Sequence, residues 1–387
     1  MIALFSQLSK GRICRYYNAR ILRNHQLLNG ELWSVHGKII PPQTKVDLDI
    51  DVRGLILAPG YIDLQINGAF GIDFSISPER VGDAAKLLPQ YGVTAFLPTV
   101  VSNAKNRYQS IIPLLQPKVG GSNGASILGI HLEGPFLNSM KSGAHNPSFI
   151  TSIDNQALDS FYGSLDGVKI VTLAPEIPGA LEAIRYLSER NIIAAAGHSL
   201  ATYSQMRQAI DAGIRLATHL FNAMPPLDHR EPGMVGAVLI EDKLFYSVIA
   251  DGEHLHPAIL NIAWKCHPQG LVLITDAMAA LGQPKGSYRL GTMDVDVKEN
   301  RATLAGTETL AGSILSMDKA VRFLQQCTGC SAVQAIEAAS LMPARILGIQ
   351  GAKGLLEGAD ADFIFLDDSL NVQATVIAGE LAWKKPY

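Results

Sequence analysis

Several features common in other protein classes are scarce in this chain of 387 residues. Charged side chains make up 17% of the sequence, and 35 acidic against 32 basic residues leave a net charge of −3. Without an excess of positive charge, and with only 7% aromatic residues, the chain lacks the basic field and the stacking surfaces of nucleic-acid-binding proteins. The hydrophobic fraction of 48% excludes disorder as the main state. We therefore predict a folded protein that binds neither nucleic acid nor a membrane.

Cysteines and long apolar runs are scarce as well. Four cysteines in this length do not make a disulfide framework, and no stretch reaches the roughly 18 apolar residues of a membrane-spanning helix. The first residues turn polar too soon for a signal peptide. Cys327 and Cys330 have the spacing of a redox motif, but we interpret them as part of a turn between two helices. We expect a cytoplasmic location.

The two ends of the chain are alike and differ from the middle. Short β-like runs broken by turn pairs occupy about residues 15–53 and again residues 354–383. Two β-rich ends on either side of a different middle can pair with each other. We therefore predict one small β domain from residues 1–56 and 351–387, and a separate domain from residues 57–350.

The middle of the chain alternates apolar, strand-like runs with amphipathic helical segments. The eight predicted strands are Leu57–Ile66, Val93–Val100, Ser126–Glu133, Val168–Pro175, Ile192–His198, Ile214–Leu220, Leu244–Ala250 and Gly270–Asp276. Near-continuous apolar strands that alternate with helices indicate a parallel sheet buried on both faces, and eight such units in about 220 residues match a closed (β/α)₈ barrel. An open doubly wound sheet is the alternative, but the first strand lacks a glycine-rich phosphate motif. Beyond the eighth strand we predict a hairpin over residues 287–304 and two helices, over about 314–327 and 331–347.

Polar residues recur at the carboxyl ends of the predicted strands, where barrel enzymes place their active sites. Eight of the ten histidines lie between His131 and His267. His198, His219 and Glu133 follow three different strands, and two histidines with one carboxylate form a three-ligand zinc set that leaves a fourth position for water. His131 and Glu133 share one strand face, so their spacing leaves open which of the two is the ligand. Asp276, at the end of the eighth strand, is a catalytic candidate or an orienting group for a loop.

Motifs spread over most of the chain carry a family resemblance. In chain order they are His131-Leu-Glu-Gly-Pro-Phe, His145-Asn-Pro, Ala196-Gly-His-Ser, Ala217-Thr-His-Leu-Phe-Asn-Ala-Met, Arg230-Glu-Pro-Gly, Ala250-Asp-Gly-Glu-His and Thr275-Asp-Ala. Together they resemble the N-acetylglucosamine-6-phosphate deacetylases of the amidohydrolase superfamily. The resemblance implies a metal-dependent barrel with a small β-sandwich from both chain ends, assembled as a homodimer or homotetramer. It also implies removal of the acetyl group from N-acetylglucosamine 6-phosphate, which yields glucosamine 6-phosphate and acetate.

The same resemblance implies roles for individual residues. It makes Glu133, His198 and His219 the metal ligands, and Asp276 the catalytic base and acid. It places His145 against the acetamido oxygen as a catalytic and binding residue. The remaining implied substrate-binding residues are Asn222, the backbone N–H of Ala223, His254 and Leu310, with Arg230 reaching the phosphate from a neighbouring subunit.

The first strand departs from a pattern that many superfamily members share. Those members carry His-Xaa-His there for a second metal, whereas this chain has Gln65 and Asn67. Amides are poor zinc ligands beside imidazole, so we expect one divalent metal per chain, zinc. Gln65 either contacts the metal through a water or lies further out.

Three other functions stay open at this stage. A cyclic-amide hydrolase of the same superfamily would carry a lysine at the end of the fourth strand, where this chain has Ala174-Pro175-Glu176. A barrel that only binds or assembles would be expected to have lost part of its ligand set. A deacetylase of N-acetylgalactosamine 6-phosphate would share the motifs above, so the sugar epimer is undecided.

Overall fold

The computed structural model describes residues 8–153 and 158–386. Its strands are β1 (Cys14–Arg23), β2 (Gln26–Val35), β3 (Lys38–Ile40), β4 (Leu48–Asp51), β5 (Ile56–Pro59), β6 (Tyr61–Ile66), β7 (Gly68–Ala69), β8 (Ile72–Asp73), β9 (Val93–Val101), β10 (Ser126–Ile127), β11 (Ile130–Glu133), β12 (Val168–Leu173), β13 (Ile193–Ala196), β14 (Leu216–Ala217), β15 (Phe245–Ile249), β16 (Leu271–Ile274), β17 (Gly286–Leu290), β18 (Met293–Lys298), β19 (Arg301–Leu304), β20 (Phe363–Leu366), β21 (Val372–Ile377) and β22 (Glu380–Lys384).

The α-helices are α1 (Val81–Leu87), α2 (Lys105–Ile111), α3 (Leu158–Tyr162), α4 (Ala180–Glu189), α5 (Tyr203–Ala212), α6 (Gly233–Leu239), α7 (Pro257–Cys266), α8 (Met317–Thr328), α9 (Ala332–Ala339) and α10 (Leu341–Ile346). Short 3₁₀ segments cover Pro78–Arg80, Leu88–Tyr91, Ile112–Leu114, Ser139–Lys141 and Pro147–Phe149. Across the two described ranges, no helix is long and apolar enough to cross a membrane.

Eight parallel strands form the barrel in the order β6, β9, β11, β12, β13, β14, β15 and β16. A parallel bridge between Ile66 and Ala277 connects the residues after β16 back to β6 and closes the ring. The short strand β10 pairs with β9 and leads into β11. The predicted (β/α)₈ barrel is therefore confirmed.

The alternation of strands and helices follows from the local sequence. All nine residues of β9 are buried, as expected for a strand covered on both faces. Helix α4 buries residues 180, 183, 184 and 187, the spacing of one apolar face. Helix α5 begins with a capping box, in which the side chains of Thr202 and Gln205 satisfy each other's backbone N–H groups.

Strands from both chain ends form a second sheet, which we call the terminal sheet. Its order is β22-β21-β20-β5-β1-β2-β3, with β4 paired to β1. Its apolar residues, among them Tyr16, Leu32, Phe363 and Phe365, form a core cluster separate from that of the barrel. The small β domain made from both ends is thus confirmed, while the division of the chain at residues 56/57 and 350/351 stays a prediction.

The predicted first strand, Leu57–Ile66, proves to be two strands in two different sheets. Residues Ile56–Pro59 belong to the terminal sheet and Tyr61–Ile66 to the barrel. Gly60 stands between them, and a Cβ atom at this position would collide with the side chain of Thr94. The Gly60 N–H donates to the carbonyl oxygen of Asp362 at 3.1 Å. The chain can therefore pass from one sheet to the other only through a glycine at this point.

The segments after β16 refine the other predictions. The predicted hairpin is a three-stranded antiparallel sheet, β17–β19. The predicted helix over 331–347 is two helices, α9 and α10, because Ser340 between them leaves the helical conformation. Cys327 lies at the end of α8, and Cys330 precedes the residue that caps α9, which confirms the turn between two helices.

Candidate active site

A cavity of about 450 Å³ opens at the carboxyl ends of the barrel strands. Four titratable side chains reach it from different strand ends: Glu133 from β11, His198 after β13, His219 after β14 and Asp276 after β16. All four residues are buried. The barrel thus brings together the side chains that the sequence placed at four separate strand ends.

Glu133, His198 and His219 converge on one point. The Oε1 atom of Glu133 lies 3.2 Å from Nε2 of His198 and 3.0 Å from Nε2 of His219, and the two Nε2 atoms are 3.1 Å apart. The other ring nitrogen of His198, Nδ1, donates to the carbonyl oxygen of Lys141 at 2.8 Å. This bond leaves the Nε2 lone pair for the shared point, as in histidines that bind metals. Within the described chain, these three side chains fit a divalent cation with an open coordination position.

The charges at this point suit a cation. Burial tends to raise the pKa of Glu133, but the hydrogen bonds to His198 and His219 outweigh it and hold that pKa well below its ordinary value. Burial, with the neighbouring His198, lowers the pKa of His145 to about 3. Glu133 is thus a carboxylate, and the nearby ring of His145 is neutral. Burial tends to lower the pKa of His219, but its hydrogen bond to Glu133 raises that pKa, so a cation bound here would displace a proton from the His219 ring.

Asp276 lies next to this group and is held by amides. Its Oδ1 atom accepts hydrogen bonds from Nδ2 of Asn67 at 2.7 Å and from Nε2 of Gln65 at 3.3 Å. Burial and the charge of Glu133 raise the pKa of Asp276 to about 6, against the opposing effects of His219, His254 and Asn67. A carboxyl group with a pKa in this range can both accept and release a proton near neutral pH.

The structure distinguishes His131 from Glu133. Both ring nitrogens of His131 are already bonded, Nδ1 to the carbonyl oxygen of Leu64 at 3.0 Å and Nε2 to the hydroxyl of Thr172 at 2.8 Å. Burial lowers the pKa of His131 to about 4, so its ring is neutral. Glu133, rather than His131, therefore belongs to the convergent group.

Gln65 bonds to the convergent group through its amide. Its Nε2 donates to Oε1 of Glu133 at 2.9 Å, and its carbonyl oxygen accepts from the hydroxyl of Thr218. The side chain is thus fixed at both ends. Its contact with a metal through a water stays a prediction.

Most of the predicted substrate residues line the same cavity. They are His145, Asn222, Ala223, His254 and Leu310. Nδ1 of His145 accepts from the backbone N–H of Ser102 at 3.1 Å and lies 2.8 Å from the Ser102 hydroxyl. A neutral ring that accepts at Nδ1 carries its proton on Nε2, so His145 is a hydrogen-bond donor toward the cavity.

Arg230 is the predicted residue that the fold does not bring to this cavity. It is exposed in the loop after Met224, and its backbone N–H donates to the carboxylate of Asp228 at 2.8 Å. The cavity of the described chain is lined without it. Its contact with a phosphate across a subunit boundary stays a prediction.

Comparison with known proteins places this site in a family. The sequence profile of the amidohydrolase family matches residues 56–382, which is most of the chain. The chain belongs to the amidohydrolase family. The amidohydrolase is 47% identical to the human N-acetylglucosamine-6-phosphate deacetylase over 394 residues, covering 96% of each chain. It is 37% identical to the N-acetylgalactosamine-6-phosphate deacetylase of Escherichia coli O157:H7, covering 94% of this chain and 99% of that one.

A solved structure agrees with these relatives. It is a variant of the N-acetyl-D-glucosamine-6-phosphate deacetylase of Mycobacterium smegmatis in complex with N-acetyl-D-glucosamine-6-phosphate. The amidohydrolase superposes on it with a TM-score of 0.86 at 34% identity, covering 96% of this chain and 100% of that one. The two proteins therefore share the whole architecture of barrel and terminal sheet.

One residue that supports the amidohydrolase site, Glu176, was not identified from the sequence. Glu176 accepts from the hydroxyl of Ser199 and the backbone N–H of Leu200, each at 2.6 Å, and so fixes the loop that follows His198. It also accepts from Nδ2 of Asn138 at 2.9 Å. Glu176 lies three residues after the fourth barrel strand, β12, which ends at Leu173. A carboxylate in the loop just beyond a barrel strand is the signal in the sequence that indicates such a role.

Proposed function

We propose that this amidohydrolase removes the acetyl group from N-acetylglucosamine 6-phosphate, releasing acetate and glucosamine 6-phosphate in amino-sugar catabolism. One observation carries the proposal. Glu133, His198, His219 and Asp276 meet in one cavity, in a chain 47% identical to a deacetylase of this sugar phosphate. A linear acetamide is small enough to reach the floor of such a cavity, and the sugar and its phosphate can fill the remainder.

We further propose that one Zn²⁺ per chain is held by Glu133, His198 and His219. Two imidazoles and a carboxylate are ligands that zinc favours, and the amides of Gln65 and Asn67 argue against a second tightly bound ion. When bound, such an ion acts as a Lewis acid that lowers the pKa of water and polarises a carbonyl group.

The proton transfers are assigned to Asp276. Hydrolysis of an amide requires the attacking water to lose a proton and the departing nitrogen to gain one. Asp276 accepts the first proton as the C–O bond forms, and delivers it to the sugar nitrogen as the C–N bond breaks. A pKa raised to about 6 suits a group that must do both. His145 donates its Nε2–H to the acetamido oxygen, where negative charge develops.

The phosphate is assigned to a second set of residues that line the cavity. Asn222, the backbone N–H of Ala223 and His254 line the cavity and offer donors to a dianion, and Leu310 adds apolar surface for the sugar. Arg230 is assigned to the phosphate of a neighbouring subunit in a homodimer or homotetramer. If so, mixing inactive His219→Gln chains with inactive Arg230→Ala chains should restore part of the activity in hybrid oligomers. Hybrids without activity would contradict the shared site.

The test of the reaction is acetate release from defined substrates. N-acetylglucosamine 6-phosphate should be the best substrate, ahead of unphosphorylated N-acetylglucosamine and of a cyclic amide. The 37% identical Escherichia coli relative makes N-acetylgalactosamine 6-phosphate the second candidate, so both epimers are compared at equal concentration. Higher kcat/KM with the galactosamine epimer would replace the first assignment with the second.

Metal analysis tests the ligand set. The purified protein should contain about one zinc per chain, and His219→Gln should lose both zinc and activity. The matched control is His36→Asn, which changes an exposed histidine in a turn of the terminal sheet and should leave both unchanged. Two metals per chain at full occupancy would contradict the single-ion assignment.

A further inference from the structure

We infer that Asp251 is a positioning residue for the phosphate end of the cavity, acting through His254. Asp251 follows strand β15, and its Oδ2 atom lies 2.7 Å from Nδ1 of His254. The side chains of the two residues are only 9% and 6% exposed. The inference rests on the proposed function, because it assumes that a phosphorylated sugar occupies the cavity.

Asp251 lies behind His254 rather than beside the substrate. His254 lines the 450 Å³ cavity of the active site. Asp251 lines a second cavity of about 310 Å³, together with Lys319, Arg322 and Phe323. A sugar phosphate in the first cavity would therefore meet His254, and Asp251 can act on it only through the imidazole ring.

The two oxygens of Asp251 do different things. Oδ1 accepts the backbone N–H groups of Glu253 at 2.9 Å and of His254 at 2.8 Å, which fixes the turn. Oδ2 is left for the imidazole. Gly252 makes this turn possible, since its φ is +81° and a Cβ there would press on the ring of Phe323 at 3.0 Å. The turn brings the His254 ring back onto the carboxylate three residues earlier.

The charge of Asp251 determines which ring nitrogen is free. Burial tends to raise the pKa of Asp251. The hydrogen bond from His254, the electrostatic effect of that ring and the two backbone N–H groups outweigh burial and hold the pKa below its ordinary value. The ionised carboxylate can only accept hydrogen bonds, so Nδ1 of His254 must be the donor. Rotation of the ring is blocked by this bond, and Nε2 is left as the nitrogen that can meet a ligand.

The substitution Asp251→Asn distinguishes the bonds that fix the turn from the bond that orients the His254 ring. The carbonyl oxygen of the asparagine can keep both backbone bonds of the turn, but its NH₂ group cannot accept from Nδ1–H. The ring would then change its tautomer or turn away, while the fold is preserved. Loss of a carboxylate that orients a histidine has such an effect in serine proteases, where the wrong tautomer is selected.

The test compares phosphorylated and unphosphorylated substrate in four enzymes: the parent, Asp251→Asn, His254→Asn and the double variant. With N-acetylglucosamine 6-phosphate, Asp251→Asn should lower kcat/KM by about 10- to 100-fold, mainly through KM, which is the range seen for groups that orient metal-binding histidines. With unphosphorylated N-acetylglucosamine the change should stay within about twofold. The double variant should be no worse than His254→Asn, because both changes remove the same contact. The control Asp211→Asn removes an exposed charge on α5 and should leave kcat/KM unchanged with both substrates.

The outcomes separate this inference from the proposed function. If His254→Asn affects both substrates equally, the phosphate assignment of the proposed function is wrong, and the inference with it. If His254→Asn discriminates between the substrates and Asp251→Asn does not, only the inference is wrong. The inference would also be wrong if the double variant had a clearly lower kcat/KM than His254→Asn with the phosphorylated substrate. Asp251→Ser keeps one oxygen for the turn and repeats the test if the asparagine variant folds poorly.

Discussion

The terminal sheet and the carboxyl ends of the barrel strands use the same backbone conformation in different ways. Several residues of the terminal sheet with positive φ lie in exposed turns, such as Asn24 at 49° and His36 at 52°. At the barrel, His198 at 49°, His219 at 32° and Asp276 at 48° have positive φ although they are buried. Such conformations cost of order 1–3 kcal/mol each. In the barrel, the strained backbone conformation directs three functional side chains into one cavity.

The two regions also differ in what they bury. The terminal sheet buries aromatic rings, with the ring of Tyr16 centred 5.1 Å from that of Phe363 and 5.9 Å from that of Phe365. The barrel face buries carboxylates and imidazoles that are linked by hydrogen bonds. Changes in the aromatic core of the terminal sheet should therefore reduce stability and leave turnover intact. Changes among the polar residues of the cavity should reduce turnover and leave stability nearly intact.

The largest effect is expected at Asp276. Asp276→Asn keeps the shape of the side chain and its contact with Asn67, but it cannot accept and release a proton. Turnover should fall by about 100- to 10,000-fold, which corresponds to about 3–5 kcal/mol, while metal content and thermal stability stay near those of the parent. Turnover close to the parent's, with metal content verified, would assign the proton transfer to another group.

Phe363→Ala should show the opposite pattern. Phe363 is fully buried in the core of the terminal sheet, and removal of a buried phenyl group costs about 3–5 kcal/mol. We expect a lower temperature of unfolding and, at temperatures where the variant is folded, an unchanged kcat. A large fall in kcat of the folded variant would show that the terminal sheet and the cavity are energetically coupled.

Asp73 is a buried carboxyl on the barrel side with no assigned part in the reaction. Its side chain accepts the backbone N–H groups of Ser75 at 2.8 Å, Ile76 at 3.0 Å and Gly291 at 2.8 Å. Burial outweighs these bonds and raises the pKa from 3.8 to about 6. Since the folded-state pKa is the higher one, the stabilisation is complete below about pH 4 and is lost as the pH rises through 6.

The measurement for Asp73 is the difference in unfolding temperature between the parent and Asp73→Asn as a function of pH. Between pH 4 and pH 7, the free energy of unfolding of the parent should fall by on the order of 3 kcal/mol relative to that of the variant, which appears as a lower unfolding temperature. Turnover at neutral pH should change little. A pH-independent difference would mean that Asp73 has the same pKa in the folded and unfolded chain.

The smallest effect is expected at the surface of the terminal sheet. Asp368 pairs with Arg20 at 2.6 Å, but its side chain is 85% exposed. Such pairs contribute less than about 1 kcal/mol and weaken with salt. Asp368→Asn should therefore leave both kcat and the unfolding temperature almost unchanged. A marked loss of stability would show that charges in the terminal sheet matter as they do in the barrel.

The sequence supported the barrel, the pairing of both chain ends and the convergence of Glu133, His198 and His219, because each depends on local pattern and strand order. It could not show that the first predicted strand breaks at Gly60, since the cause is a contact with Thr94 on another strand. It also could not separate His131 from Glu133, whose difference lies in hydrogen bonds to Leu64 and Thr172. Such partners are set by packing between segments that are distant in the chain.

The pairing of β5 with β20 has a consequence for synthesis on the ribosome. Phe363 pairs with Pro59, so about 300 residues must be made after β5 before its partner exists. At about 5–20 residues per second, the nascent chain exposes one edge of β5 for roughly 15–60 s. An unpaired strand edge can associate with other chains during this interval. Chaperones that cover the nascent chain should therefore raise the yield of this protein more than that of a barrel without the shared sheet.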